Sequence, residues 1–520
     1  MTRSPSAFLL AALALVAGAA PAFSQAPAPA PTPNGTASLR EAAETITPAD
    51  MYARIEYVAS DRMRGRDTPS PELEIVAGYL VNQYKLMGFQ PAGENGTFYQ
   101  WYALPLRRLS ASGARLQFAG RGGTQSMALG RDFWASGGTR SELTGDLVFV
   151  GRGQESATGA GTLAGRVAVM ALPGRMNRDF RIARGQLRNA ARRAGAVAAV
   201  YVLDPTWTAD SVAKYGTPQP MRSLGEELAY PEFYLIQDAA RRLFTAAGLD
   251  FQRLWTGAEA ASFRPVPLAG VTATAGLPIE TVDAARAPNV VAMIPGSDPQ
   301  LRNEYIVVSA HMDHVGVGRP VNGDSIYNGA DDDASGTTGI LEVAEAFSRL
   351  GQRPKRSIVF LHVSGEEKGL LGSQWFSEHP TLPLDRIVAN INVDMIGRNN
   401  PDSVVVIGKT YSSLGPLAER VAAAHRELHL TLSDDLWPQE RFFFRSDHFN
   451  FARKEVPAIF FFSGVHADYH QPSDEVEKID TDKAARIARM VFYVANEIAN
   501  DPQRPRWDPK GLEEVRRMTR

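Results

Sequence analysis

The chain is expected to fold as an α/β protein, with a mixed, largely parallel central sheet flanked by helices and a small β-rich domain inserted into it. Three observations carry that expectation. From residue 287 onward, apolar runs at 289–294, 305–309, 357–363, 387–393, 404–407 and 458–462 alternate with helix-like segments at 336–350, 369–378, 414–428 and 482–500, as strands covered on both faces require. Residues 47–90 read as helical. Between about 130 and 270 the texture changes to short β-like runs separated by glycine-rich turns, which marks a separate module.

In the first segment Ile55, Val58 and Ala59 recur at helix spacing. Pro69 to Pro71 break the pattern, and Ile75, Tyr79, Leu80, Tyr84 and Met87 then line one face of a second helix that Gly88 stops. In the β-rich segment the runs at 146–150, 166–170 and 196–202 read as strands, while Arg181, Arg184, Arg188 and Arg192 fall on one helical face. Such a row is read as a solvated face.

At 520 residues, 44% hydrophobic and 22% charged, the chain is long enough for more than one core. Lys+Arg number 55 against 57 Asp+Glu, so no global field gathers polyanions and nucleic acid is not expected as a partner. The absence of cysteine excludes disulfides, zinc-thiolate sites, iron–sulfur clusters and a cysteine nucleophile. Any metal is left to His, Asp and Glu.

Arg3 precedes an apolar run at 7–20, too short to span a bilayer, and Ala22-Phe23-Ser24 then presents small residues at a cleavage site. Residues 1–24 are therefore expected to be an export signal, which sends the protein to a periplasm or beyond it with no membrane anchor after removal. A Pro/Ala-rich linker at 25–37 follows. The remaining organisation is expected to be 38–128 as the first part of the main domain, 129–272 as the insert, 273–500 as the metal-binding core and 501–520 as a charged tail without an assigned role.

In an open α/β sheet reactive groups gather beyond the C-terminal strand ends, and five polar clusters follow that rule. His311 and Asp313 close the run 305–309, giving an imidazole ligand and a carboxylate to fix its tautomer. Asp331, Asp332 and Asp333 precede a helix; taken alone they are an N-cap cluster, but a cation would remove their repulsion, and Asp332 could bridge two metals. Glu366 and Glu367 follow the run 357–363, where unpaired carboxylates are costly; one as ligand and one as general base divides the labour. Asp394 ends the run 387–393. After 458–462 come Tyr469, a donor for a developing oxyanion, and His470, a second imidazole ligand. Three carboxylate ligands and a bridging hydroxide balance two divalent ions, as in a dinuclear hydrolytic centre.

These motifs closely resemble the co-catalytic two-zinc aminopeptidases typified by bacterial secreted leucine aminopeptidases: His311-x-Asp313, Gly329-Ala330-Asp331-Asp332-Asp333-Ala334-Ser335-Gly336, Glu366-Glu367-x-Gly369-Leu370-x-Gly372-Ser373, Val393-Asp394-Met395 and Asp468-Tyr469-His470. The resemblance covers roughly 40–125 and 285–500 and implies the zinc exopeptidase fold. The insert, with Gly165 to Val169 and Ala194 to Val197, looks like a protease-associated domain. The resemblance implies two Zn2+ per chain, one on His311 and Asp394, the other on Glu367 and His470, with Asp332 bridging. It further implies Glu366 as general base, Tyr469 as stabiliser of the tetrahedral intermediate, and peptide or protein N-termini as substrate. Phe442, Phe443, Phe444, Asp447 and His448 match the family's substrate-side segment loosely, and the phenylalanines serve equally well as pocket lining or as core.

His425 and His429 stand four apart, but the intervening Glu427 is not where a zincin helix places it, so no metal is expected there. His362 and His379 are read as packing or surface residues, and His314 and His466 as shaping the site without ligating. No nucleophile elbow or phosphate-binding loop is present in the sequence. Rival readings on related folds are a single-zinc glutaminyl cyclase, a carboxypeptidase or dipeptidase with the same metal set, and a non-catalytic peptidase-like binding protein.

Overall fold

A computed structural model describes residues 35–519 apart from 121, 139–141, 155–156, 176–177, 217–219 and 225–229. The expected export signal and the linker up to residue 34 lie outside the described residues.

The main sheet runs in the order Gln90–Pro91, Arg286–Ile294, Ser357–Val363, Tyr305–His311, Ile387–Val393, Ala458–Phe462, Ser403–Ile407 and Thr431–Ser433, with Tyr99–Ala103 also pairing on Arg286–Ile294. Its four central strands, from Ser357–Val363 to Ala458–Phe462, are mutually parallel, and antiparallel neighbours flank them on both sides. The expected strands 357–363, 387–393 and 458–462 coincide with observed ones, because uninterrupted β-branched and aromatic runs leave no alternative turn signal inside them.

The larger face of the sheet is covered by the helices Pro48–Val58, Pro71–Leu86, Gly336–Arg349, Leu414–Ala424 and Thr481–Asn500, whose apolar stripes merge into one core with Ile306, Val308, Ile391 and Phe461. Thr47 and Ser70 cap the first two through their side chains, and Pro48 and Pro71 occupy the first helical positions. A smaller core on the opposite face joins Val307, Val359 and Leu361 to Phe376 and Phe451 of the short helices Leu371–Glu378 and His448–Ala452. The helix expected over 414–428 stops at Ala424. His425 leaves helical geometry at φ −114, ψ 55, and the chain turns to lay Thr431–Ser433 parallel beside Ser403–Ile407.

The β-rich module forms its own eight-stranded sheet with a separate core. Its parallel centre, Leu143–Phe149, Val167–Leu172, Ala198–Leu203 and Glu232–Leu235, contains the expected runs. The module nevertheless reaches past the expected 129–272 on both sides, from Arg115–Gly120 and Gly123–Met127 to Val266–Gly276. Those outer strands are half exposed and alternate with polar residues, so they carry a weaker apolar signal than the buried centre.

The tail is also structured. Pro509–Thr519 is a helix whose Val515 packs into an aromatic cluster with Phe442, Phe460 and Phe462. Trp507 Nε1 donates to the Glu455 carbonyl at 2.7 Å, and Arg516 grips the Glu455 carboxylate with two nitrogens.

Candidate metal centre and adjoining cleft

Because the four central strands are parallel, the chain leaves each of them at the same sheet edge, and the loops that follow carry the expected donors. Two groups of side chains converge there. His311, Asp332 and Asp394 form one, and His314, Asp332, Glu367 and His470 the other, with donor atoms in each group lying within 4.8 Å of one another. Asp332 belongs to both, as a bridging carboxylate requires. His314, expected only to shape the site, approaches Glu367 Oε1 to 2.8 Å through Nδ1.

The local fold explains the glycines around Asp332. Gly329 has φ 60, and a Cβ there would lie 2.2 Å from the Asp332 carbonyl oxygen and 2.5 Å from the His314 ring. A Cβ on Gly336 would meet Asp333 Oδ1 at 2.2 Å. Asp333, itself wholly buried, accepts hydrogen bonds from the backbone N–H of His311, Gly336 and Met395 at 3.1, 2.9 and 3.1 Å. Its carboxylate thus caps a helix and also ties two strand ends to the loop. Asp331 accepts from Gly397 N at 2.6 Å, and Asp474 accepts from the N–H groups of Asp331 and Asp332.

The donors fit divalent zinc in chemistry and in spacing. With bonds of about 2.0–2.1 Å, tetrahedral ligand atoms stand about 3.3 Å apart. His311 Nε2 lies 3.3 Å from Asp332 Oδ1 and 3.6 Å from Asp394 Oδ1, and His470 Nε2 lies 3.1 Å from both Asp332 Oδ2 and Glu367 Oε2. Asp394 Oδ1, Glu367 Oε1 and His470 Nε2 are buried without a well-aligned hydrogen bond. Close approach without hydrogen-bond geometry is the arrangement a shared cation calls for.

Electrostatics agree. Burial opposes charge on His470, yet the facing carboxylates of Asp332 and Glu367 outweigh it and push the imidazole up to about 10. His311 is likewise raised against its burial by Glu366, Asp394 and Asp333. The Glu366 carboxyl is raised, chiefly by burial and then by the charges of Glu367, Asp447 and Asp394, against the pull of His311. The loops demand positive charge.

Asp313 stands behind His311. His311 Nδ1 lies 3.2 Å from the Asp313 carbonyl oxygen and 3.7 Å from Oδ1, which leaves Nε2 toward Asp332 and Asp394. Ser446 Oγ donates to Asp394 Oδ2 at 2.8 Å and accepts from Asn392 Nδ2. Arg66 and Thr68 carry no signal in the sequence: each reaches the centre from a distant segment, and neither sits in a metal-ligand spacing. Arg398 holds Asp468 at 2.8 Å, which anchors the loop bearing Tyr469 and His470.

A cleft opens beside the donors, lined by His311, Asp332, Glu366, Asp394 and Tyr469 on one side and by Met395, Phe442, Phe460, Phe462 and Val465 on the other, with Arg445 and Ser446 completing it. Of the five expected pocket residues only Phe442 lines it. The segment Phe442–Phe444 is one 3-10 turn, so successive side chains diverge by about 120°. Phe443 packs on Tyr411 and His448 instead, Phe444 on Phe449, and His448 on Phe460. Asp447 is wholly buried, and that burial pushes it up to about 7.

His362, His379 and His425 pack against aromatic residues away from the donor groups. His362, held neutral by burial at about 3, meets Tyr84 Oη at 2.7 Å. His379 stacks on Trp375 and His425 on Tyr493. His425 and His429 share no helix. Among the described residues no helix is long and apolar enough to cross a membrane.

Residues 289–495, which carry every donor, match the model of Peptidase family M28, in line with the motif resemblance. Among curated relatives, the chain is 31% identical over 220 residues to leupeptin-inactivating enzyme 1 of Streptomyces exfoliatus, covering 40% of this chain and 42% of that one. It is 28% identical over 220 residues to a probable leucine aminopeptidase of Arthroderma benhamiae, covering 41% and 58%. The chain thus spans about half the length of these relatives. Among solved structures, an aminopeptidase from Aneurinibacillus is similar at 19% identity and a TM-score of 0.49, over 90% of this chain and 97% of that one.

Proposed function

We propose that this protein is an exported zinc aminopeptidase that removes apolar residues from peptide N-termini. The observation that carries the proposal is the pair of donor groups sharing Asp332, set beside Glu366 and an apolar cleft. His311 and Asp394 would hold one cation, Glu367 and His470 the other, and Asp332 both; His314 faces the second group. What the cations supply when bound is Lewis acidity toward water and toward the scissile carbonyl.

The chain's own groups do the rest. Glu366 takes the proton of the attacking water and returns it to the leaving amine; its burial raises its affinity for that proton. Tyr469 donates to the developing oxyanion. Its phenol is kept protonated by burial first and by the charge of Asp332 and Glu367 second. Met395, Phe442, Phe460, Phe462 and Val465 exclude water from the N-terminal side chain. The insert, with its own sheet and core, is read as a protease-associated domain. The apolar run at 7–20 supports export.

Digesting a peptide library with zinc-loaded protein and sequencing the products tests this reading. Loss of residues from the N-terminal end alone, with two zinc ions per chain, is expected. Cyclisation of N-terminal glutamine with one zinc, loss from the C-terminal end, or no turnover would each replace it with one of the rival readings.

A further inference from the structure

Among the described residues Arg66 and Arg356 are the largest wholly buried side chains, and Arg66 lies in a short irregular segment, Asp61–Arg66, between two helices. Its guanidinium does not pair with any carboxylate. Nε donates to the Met312 carbonyl at 3.0 Å, Nη1 to the Asn328 carbonyl, and Nη2 to the carbonyls of Gly329 and Asp332 at 2.7 and 3.2 Å. The Arg66 carbonyl in turn accepts from His314 N at 3.4 Å. Met312 lies between His311 and Asp313. One planar fork therefore pins the strand end that carries the first imidazole to the turn that carries the shared aspartate.

The choice of acceptor has a consequence. The acids that act on the guanidinium are Asp332, Asp313, Asp333 and Asp474. A cation bonded to the Asp332 carboxylate would occupy lone pairs that a metal needs. Bonded to carbonyls, it lies near the same acid and leaves the Asp332 carboxylate oxygens to the donor groups.

We infer that Arg66 is a positioning residue of the metal centre, holding His311 and Asp332 at cation-binding separation through the backbone. This rests on the two-cation reading above, but its test needs no turnover.

Charge and positioning make opposite predictions. If Arg66 acted only as a nearby positive charge, replacing it with a neutral residue would tighten zinc binding. If it positions the donors, both Arg66→Met and Arg66→Lys weaken binding, since an ammonium cannot span four carbonyls. Arg356 supplies the control: it too is wholly buried and donates to carbonyls, of Ile498 and Asp501, but it precedes the strand Ser357–Val363 and so lies at the opposite sheet edge.

The experiment is a zinc titration against a competing chelator on the full chain, with the thermal midpoint of each metal-free variant and the visible spectrum of each cobalt-loaded one. Both Arg66 variants are expected to lose about 10–100-fold in zinc affinity and to change the cobalt spectrum, while Arg356→Lys lowers the midpoint and leaves both unchanged. Wild-type affinity in Arg66→Lys, tighter binding in Arg66→Met, equal zinc loss in Arg356→Lys, or failure of both Arg66 variants to fold with zinc present would overturn the inference. A wild-type chain that bound no zinc would instead indict the two-cation reading.

Discussion

The backbone N–H of Glu366 donates to Asp313 Oδ1 at 3.3 Å, so the carboxylate behind His311 also holds the loop that bears the proposed base. Its other oxygen accepts from Thr68 Oγ1 at 2.9 Å, and Thr68 Oγ1 accepts from Gly365 N. One buried acid thus couples a candidate ligand to the candidate base. Asp313→Ala is expected to lower zinc affinity and kcat together, each by about 10–100-fold, measured by chelator competition and steady-state kinetics. A change in KM alone would sever this coupling.

Glu366 and Tyr469 separate chemistry from metal binding. Glu366→Gln is expected to lower kcat by about 10²–10⁴-fold with zinc content unchanged, as read by metal analysis. Tyr469→Phe removes one donor to the oxyanion and is expected to lower kcat by about 10²–10³-fold at nearly constant KM. Loss of zinc in either variant would move the residue from proton or oxyanion chemistry to the donor set.

The cleft predicts selectivity. Phe442 is the one residue of its aromatic triplet on the lining, so Phe442→Ala is expected to reduce the kcat/KM preference for leucyl over alanyl substrates by about tenfold. The same change at Phe444 leaves the ratio unaltered.

Val515 backs the aromatic wall of the cleft from the C-terminal helix. Val515→Ala is expected to cost about 1–3 kcal/mol of stability and to raise KM for apolar N-terminal residues while the zinc affinity holds, measured by denaturant titration and kinetics.

A buried acid outside the donor groups sets a pH dependence of stability. Glu342, paired with Arg54, is raised from 4.5 to about 7, because burial outweighs the arginine's pull. The folded state then binds the proton more tightly than the unfolded one, so stability falls as pH rises from 4.5 to about 7. The loss over that window is about 3 kcal/mol. Glu342→Gln is expected to flatten the profile in urea titrations across that range; an unchanged slope would assign it to another group.

Sequence pattern alone was sufficient for the central strands and for the order of the donors along them. Continuous apolar runs specify buried strands, and a polar cluster directly after each run has only one sheet edge to occupy. The side chains of His311, Asp332, Glu367, Asp394 and His470 are gathered at that edge. Three things were decided only by the tertiary structure. Phe442, Phe443 and Phe444 are equivalent as letters, and the turn they form selects which faces the cleft. The outer strands of the insert are half exposed, so their periodicity is too weak to mark its borders. Arg66, Thr68 and Ser446 serve the centre through hydrogen bonds to groups 52 or more residues away. Such bonds leave no periodicity in the chain, because a guanidinium or hydroxyl acquires its partners only when distant backbone is folded around it.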